Sequence, residues 1–377
     1  MSRPAISKAT GLSKITVDGI ANELVAEGRL LEAFEPPTGS PGRRARLLSF
    51  RDDSAFVGAI DIGATRAQVA VSDLAGTLLA QEEVTLIGVN SGAKVLDLVR
   101  NSLKRTIASA NLTESDIRAL CIGTPGIVDP TSQRVTLAPQ LPDWDDVDLV
   151  AAMAFLGDCP ILVENEVHLA VLGEQWRGAA EGFDDVAYVH LGVGVGLGIV
   201  KSGTLVRGAH GGAGEIGYLP LVGLDATSPA GHRGRFEALV GGAAYHRAAQ
   251  ELFSSGRGTA LIDAAGGDPN QVDASVLYRM AEMGDRDALE IVERLLGYTT
   301  AGIASVINIL DPEVVIIGGG ISRAGSWMLQ RIETLLAELT PLSSDLLLAG
   351  LGDHAVLIGA CRRAIAACEQ ELFDLTR

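Results

Sequence analysis

Aromatic side chains are scarce in this sequence: three Trp, five Tyr and eight Phe among 377 residues. A core without aromatic bulk has to be built from Ala, Val, Leu and Ile, and the 47% hydrophobic content supplies them. Cysteine is equally sparse. Cys121, Cys159, Cys361 and Cys368 stand apart with no CxC or CxxC spacing. That pattern speaks against a disulfide framework and for free thiols in a reducing cytoplasm. No apolar run approaches the ~20 residues of a membrane span, and no charged-then-apolar signal pattern opens the chain. A soluble, cytoplasmic protein with no membrane partner is expected. Positive charge is also short: 30 Lys/Arg against 47 Asp/Glu leave a net charge of −17. Such a balance excludes a protein coated in nucleic acid over its whole surface.

The shortage of positive charge is uneven. Residues 1–50 hold seven Lys/Arg and five Asp/Glu, a net of +2, while the rest holds 23 and 42, a net of −19. This asymmetry fits a small part that touches nucleic acid and a large part that does not. The length suggests two or three domains.

The first segment reads as two short helices. Arg3 to Thr10 is followed by Gly11 as a stop, and Ser13 caps a second helix whose Ile20, Ala21, Leu24 and Val25 make one apolar face. After Gly28, two short strands flank a Gly/Pro-rich tip with a basic cluster, Arg43, Arg44 and Arg46, which describes a wing. From Ser54 the pattern becomes alternating strand and helix, an α/β signature. One round of strand, glycine-bearing turn and strand starts at Phe56 and a second at Val186. Two such rounds predict a duplicated fold with a cleft between lobes.

Three glycine turns have the character of phosphate cradles, because glycine lets backbone N–H groups approach an anion closely. They are Asp61-Ile62-Gly63-Ala64-Thr65, then Gly192-Val193-Gly194, then Gly318-Gly319-Gly320. Each alone is also what an ordinary tight turn requires; the three in this order are more specific. Polar residues at strand ends form a second set: Glu164, Asn165, Glu166, Glu215 and Glu237. Planar polar side chains of this kind make paired hydrogen bonds to sugar hydroxyls.

Longer motifs now match a known family. They are DIGAT at Asp61–Thr65, GTPGIVDP at Gly123–Pro130, APQLPDW at Ala138–Trp144, VENEVHLAVLGE at Val163–Glu174, GAHGGAGEIGY ending at Tyr218, LDPEVVIIGGGIS at Leu310–Ser322 and LGDHAVLIGA at Leu351–Ala360. In these the chain resembles the ROK family of repressors, open reading frames and sugar kinases. Ala9–Gly28 is similar to the winged helix of its repressor branch, the branch of the xylose and N-acetylglucosamine repressors. The resemblance implies an actin/hexokinase-like (ribonuclease H-like) ATPase fold behind a winged helix-turn-helix. The expected domains are 1–53 for the DNA-binding segment, 54–175 for the first lobe and 176–377 for the second. Because the repressors carry three helices before the wing and this sequence opens on the second, the first helix is expected to be missing.

The resemblance also implies where the chemistry departs. The general-base Asp of family kinases is Glu166 here, one methylene longer, and a misplacement of ~1 Å can cost ~100-fold in rate. A sugar-contacting Asn is Gln140, another Asn is His168 at the rim, and a phosphate-contacting Thr is Val193. The four family zinc ligands, a His and three Cys, correspond to Tyr218, Ser228, Ala230 and Arg235, and His232 alone does not replace a tetrahedral set. The expectations are therefore no cofactor, no zinc and no catalytic residue. A sugar or sugar derivative is expected to meet Gln140, Asn165, Glu166, Glu215 and Glu237. Operator DNA is expected to meet Ser13, Lys14, Thr16, Asp18, Arg43, Arg44 and Arg46. The assembly expected is a homodimer or a tetramer.

Overall fold

The computed structural model describes residues 1–34, 46–138, 141–145, 147–220 and 234–373. At its start lie helices α1 (Arg3–Thr10) and α2 (Lys14–Ala26) and an antiparallel pair, β1 (Leu30–Phe34) and β2 (Arg46–Phe50). Local chemistry sets these boundaries. Ser2 caps α1 by accepting from Ala5 N–H, and Gly11 ends it in the left-handed conformation at φ 71°. The Ser13 hydroxyl accepts from Thr16 N–H at 3.1 Å and opens α2. Only Val17 and Ala21 of α2 are buried, and α1 buries nothing fully.

The first lobe is a five-stranded sheet ordered β5-β4-β3-β6-β9. Its strands are β3 (Phe56–Ile62), β4 (Arg66–Asp73), β5 (Leu78–Thr85), β6 (Ile117–Thr124) and β9 (Ile161–Asn165). Helix α3 (Gly92–Ser109) covers one face, and a small pair, β7 (Ile127–Val128) and β8 (Val135–Thr136), and the turn α4 (Leu149–Ala152) lie between β6 and β9. Helix α5 (Glu166–Arg177) leads out of the lobe.

The second sheet repeats the plan as β12-β11-β10-β13-β14. It uses β10 (Val186–Leu191), β11 (Val195–Lys201), β12 (Thr204–Leu205), β13 (Val314–Gly318) and β14 (Asp345–Leu348). In each sheet the opening strand pairs antiparallel with the next strand and parallel with a later one. Between β12 and β13 come α6 (Arg235–Val240), α7 (Gly242–Ser254), α8 (Thr259–Ala264), α9 (Ala274–Glu282) and α10 (Arg286–Leu310); α11 (Gly325–Leu339) and α12 (Ala355–Phe373) follow. Among the described residues no helix is long and apolar enough to cross a membrane.

Residues 176–377 were expected to form the second lobe entire. Instead α12 returns to the first lobe, where Leu357, Ala360, Cys361, Ala364 and Cys368 pack with Val57, Ala59 and Cys121 of β3 and β6. Helix α5 serves both sheets. Leu169 and Trp176 face the first core, while Val167, Ala170 and Val171 face Val186, Tyr188 and Val314 of the second. Helices α5 and α12 cross with backbones nearly touching: a Cβ at Gly359 would lie 1.8 Å from Leu169 O, and one at Gly173 2.2 Å from Ala355 O.

Near the end of α5, Glu174 is fully buried. Its carboxylate accepts from the backbone N–H groups of Ala179 (2.7 Å), Gly350 (2.9 Å) and Leu351 (2.9 Å). Glu174→Gln keeps the shape but turns an N–H₂ toward an N–H, leaving at least one buried donor unpaired. We expect a loss of about 2 kcal/mol of stability, read from the denaturant midpoint; an unchanged midpoint would show that these contacts are not what hold the two crossings.

Candidate ligand cleft between the lobes

Strand β9 ends at Asn165 and α5 begins at Glu166, so the strand-to-helix turn carries these two side chains into the space between the sheets. Asn165 is mostly committed to that turn. Its Oδ1 accepts from Val167 N–H (2.8 Å) and His168 N–H (3.2 Å), and its Nδ2 donates to Gly126 O (2.8 Å). One amide hydrogen is left for a ligand. Across the cleft, Glu215 comes from the loop before Tyr218 and Glu237 from α6, where Oε2 accepts from Val195 N–H at 3.1 Å. Together Asn165, Glu166, Glu215 and Glu237 line one cavity of about 640 Å³, with His190 and Tyr218 beside them. Gln140 lies outside the described residues.

His168, expected at the rim, is behind the wall instead. It sits three residues after Asn165 on the inward side of α5, and its ring nitrogens take Glu164 Oε1 (3.2 Å) and Ala213 O (3.1 Å). Glu164 in turn accepts from Arg207 at 2.6 Å. Burial pushes the Glu164 carboxyl up, but His168 and Arg207 outweigh it and hold it below its ordinary value. Through Arg207 and Ala213 this buried chain fixes the loop that presents Glu215. Nothing in residue spacing signals it, since Arg207 is 43 residues from Glu164.

A second cavity, of about 840 Å³, lies next to the first. Asp61, Gly63 and Thr65 line it from the first lobe and Gly319 and Gly320 from the second. The other expected cradle residues are placed differently. Gly318 is not among the lining residues: a Cβ there would lie 2.0 Å from Tyr188 Oη, so this glycine makes room for packing. Gly192 makes room for His190 in the same way, with Nε2 at 2.8 Å from its virtual Cβ, while Gly194 lines the first cavity. The Val193 side chain is 68% exposed. Sequence reading missed a charged bridge at this second cavity: Asp353 pairs with Arg66 (3.2 Å) and Arg323 (2.7 Å).

Glu166 and His190 line both cavities. Burial, then the charges of Asp61 and Glu215, push Glu166 up to about 8. Burial likewise lifts Asp61 to about 7, against the pull of Arg66, and lowers His190 to about 4. Burial thus favours the uncharged form of all three groups.

At the N-terminal end, Ser13 and Thr16 turn their hydroxyls to each other at 2.8 Å. Asp18 is paired with Arg3 (3.2 Å) rather than presented alone, and Lys14 is exposed. Arg46 was placed with the basic tip; it is instead a strand residue of β2, bonded to Glu32 at 3.1 Å and stacked over Phe34. Arg43 and Arg44 lie outside the described residues.

The donor chemistry does not fit zinc. Tyr218 brings a phenol near Glu215 and Glu237, Arg235 opens α6, and no Cys lies between positions 160 and 360. Ser228, Ala230 and His232 lie outside the described residues.

Two repeated α/β lobes with glutamates on one side of their cleft and glycine turns on the other define an actin/hexokinase-like kinase fold. The model of the ROK family matches residues 57–366, and the chain belongs to that family. It is 28% identical over 375 residues to a xylose repressor of Caldicellulosiruptor bescii, covering 97% of this chain and 92% of that protein. It is 33% identical over 269 residues to a glucokinase of Thermotoga maritima, covering 71% and 82%. Among solved structures, a ROK family transcriptional regulator homologous to the MLC protein of E. coli shares the fold at a TM-score of 0.82 and 22% identity, over 99% of this chain and 94% of that one.

Two outcomes follow from the cleft. Between the ordinary carboxyl value of 4.5 and about 8, the folded protein holds a proton on Glu166 that the unfolded chain has released. Stability therefore falls as pH rises through that window. Melting temperatures of Glu166→Gln should decline less between these limits than those of the parent; parallel curves would show that Glu166 titrates normally. Elemental analysis of purified protein should find no stoichiometric zinc, and a 1:1 metal content would overturn the ligand correspondence.

Proposed function

We propose that the protein is a sugar-responsive transcriptional repressor of carbohydrate-metabolism genes. In this reading residues 1–53 are a winged helix-turn-helix segment that binds operator DNA as a dimer. The ROK body behind it senses a sugar or sugar derivative without phosphorylating it. The observation that carries the proposal is the helix pair and hairpin in front of a kinase-like body. Similarity to the xylose repressor runs through that segment, whereas similarity to the glucokinase covers only 71% of the chain. Glu215 and Glu237 facing one cavity support a retained effector site.

One feature argues against phosphoryl transfer: Glu166 is one methylene longer than the family base. Two features favour the second reading, an active sugar kinase: the glucokinase relative, and a carboxylate kept at position 166.

One set of measurements separates them. With a duplex covering the region upstream of its own gene, the full chain should bind, and one member of a pentose, hexose and amino-sugar panel should weaken that binding. The same panel with Mg-ATP should yield no ADP above background. Turnover of ~1–100 per second with any sugar would establish the kinase instead, and absence of both DNA and sugar binding would reject the regulator.

A further inference from the structure

Helix α2 turns Val17 and Ala21 inward. At 100° per residue, Ile15, Gly19, Asn22 and Glu23 then fall on the opposite side. Ile15 is 85% exposed, a whole branched apolar side chain with almost no contact to its own chain. One turn on, at i+4, Gly19 sits in the helix interior. A glycine there weakens a helix relative to alanine. Among the described residues nothing requires it: a Cβ at Gly19 meets no atom within 4 Å, and its backbone is not left-handed. What the missing Cβ provides is close approach by a surface from outside.

The surroundings narrow down what that surface is. Of the acidic side chains near this face, Asp18 is folded back onto Arg3 at 3.2 Å, which also takes Asn22 at 2.8 Å, while Glu23 is exposed. Ser13 and Thr16 turn to each other in the cap, so Lys14 and Ile15 are the first-turn side chains that reach out. Ile15 is the most exposed apolar side chain of the segment, with Leu12 and Ile20 about half as exposed. It matches the one methyl group that a base pair displays in the major groove, that of thymine. The segment is also the net-positive part of an otherwise strongly negative chain.

We propose that Ile15 reads the 5-methyl group of a thymine in the major groove, with the bare backbone at Gly19 letting α2 seat deeply enough to do so. This rests on the DNA-binding reading above.

The test starts from duplexes that the full-length protein enriches out of a randomised pool. Each thymine of an enriched duplex is replaced in turn by deoxyuridine, which removes the methyl and keeps the pairing. At one position per half-site the parent protein should lose about five- to tenfold in affinity. Ile15→Ala should bind the thymine and deoxyuridine duplexes equally, near the parent's affinity for the latter, with an unchanged melting temperature because the side chain is exposed. Gly19→Ala should weaken binding to all enriched duplexes. If the parent is indifferent to deoxyuridine everywhere, or if Ile15→Ala keeps the discrimination, the assignment is wrong. If no duplex is enriched at all, the DNA-binding reading itself fails. In that case, loss of self-association in Ile15→Ala by sedimentation would assign the face to protein contact instead.

Discussion

Helix α5 lies between two sheets, and one buried carboxyl group pins it there. Glu174 is fully buried, and three backbone N–H groups from two separate loops donate to it. One loop carries the chain from α5 toward the second sheet, and the other carries it from β14 toward α12. A single carboxylate thus fixes both places where the chain passes between lobes. At the other end of α5, the chain Arg207–Glu164–His168–Ala213 does the same for the wall that bears Glu215. Held at both ends, the helix sets the distance between Glu166 on its first turn and the glutamates facing it.

The cleft that results is electrostatically divided. Carboxylates with cationic partners, Glu164 and Asp353, are held down by those partners although burial pushes them up. Two others end up raised: Glu166 by burial and the charges of Asp61 and Glu215, and Asp61 by burial against the pull of Arg66. The first pair builds structure, and the second faces open space where a ligand goes. A protonated Glu166 donates a hydrogen bond where an ionised one only accepts. That changes what a bound hydroxyl must offer in return.

Much of this architecture is legible in the residues themselves. The Ser13 cap, the hairpin strands and the two strand–turn–strand rounds follow from short-range rules of hydrogen bonding and periodicity. The glutamates of the cleft came through family motifs. What escaped depends on partners far along the chain. The amphipathic pattern of α12 says that it covers a sheet but not which one. Gly318 and Gly320 are alike in sequence, yet one is pressed against Tyr188 and the other lines a cavity. His168 could not be placed without Glu164 and Ala213, nor Arg46 without Glu32 and Phe34. His190 had no motif to mark it; Gly192 leaves the space its ring needs.

The glycine contact between α5 and α12 has a mechanical consequence. Where Gly173 and Gly359 let two backbones touch, neither position has room for a Cβ, while Leu169, Leu172 and Trp176 of α5 pack in one core with Leu357, Ala360 and Cys361 of α12. A side chain added at either glycine would wedge the two helices apart and, because α5 also packs on the second sheet, shift one lobe against the other. The spacing of the lobes is set by two residues that have no side chain to vary.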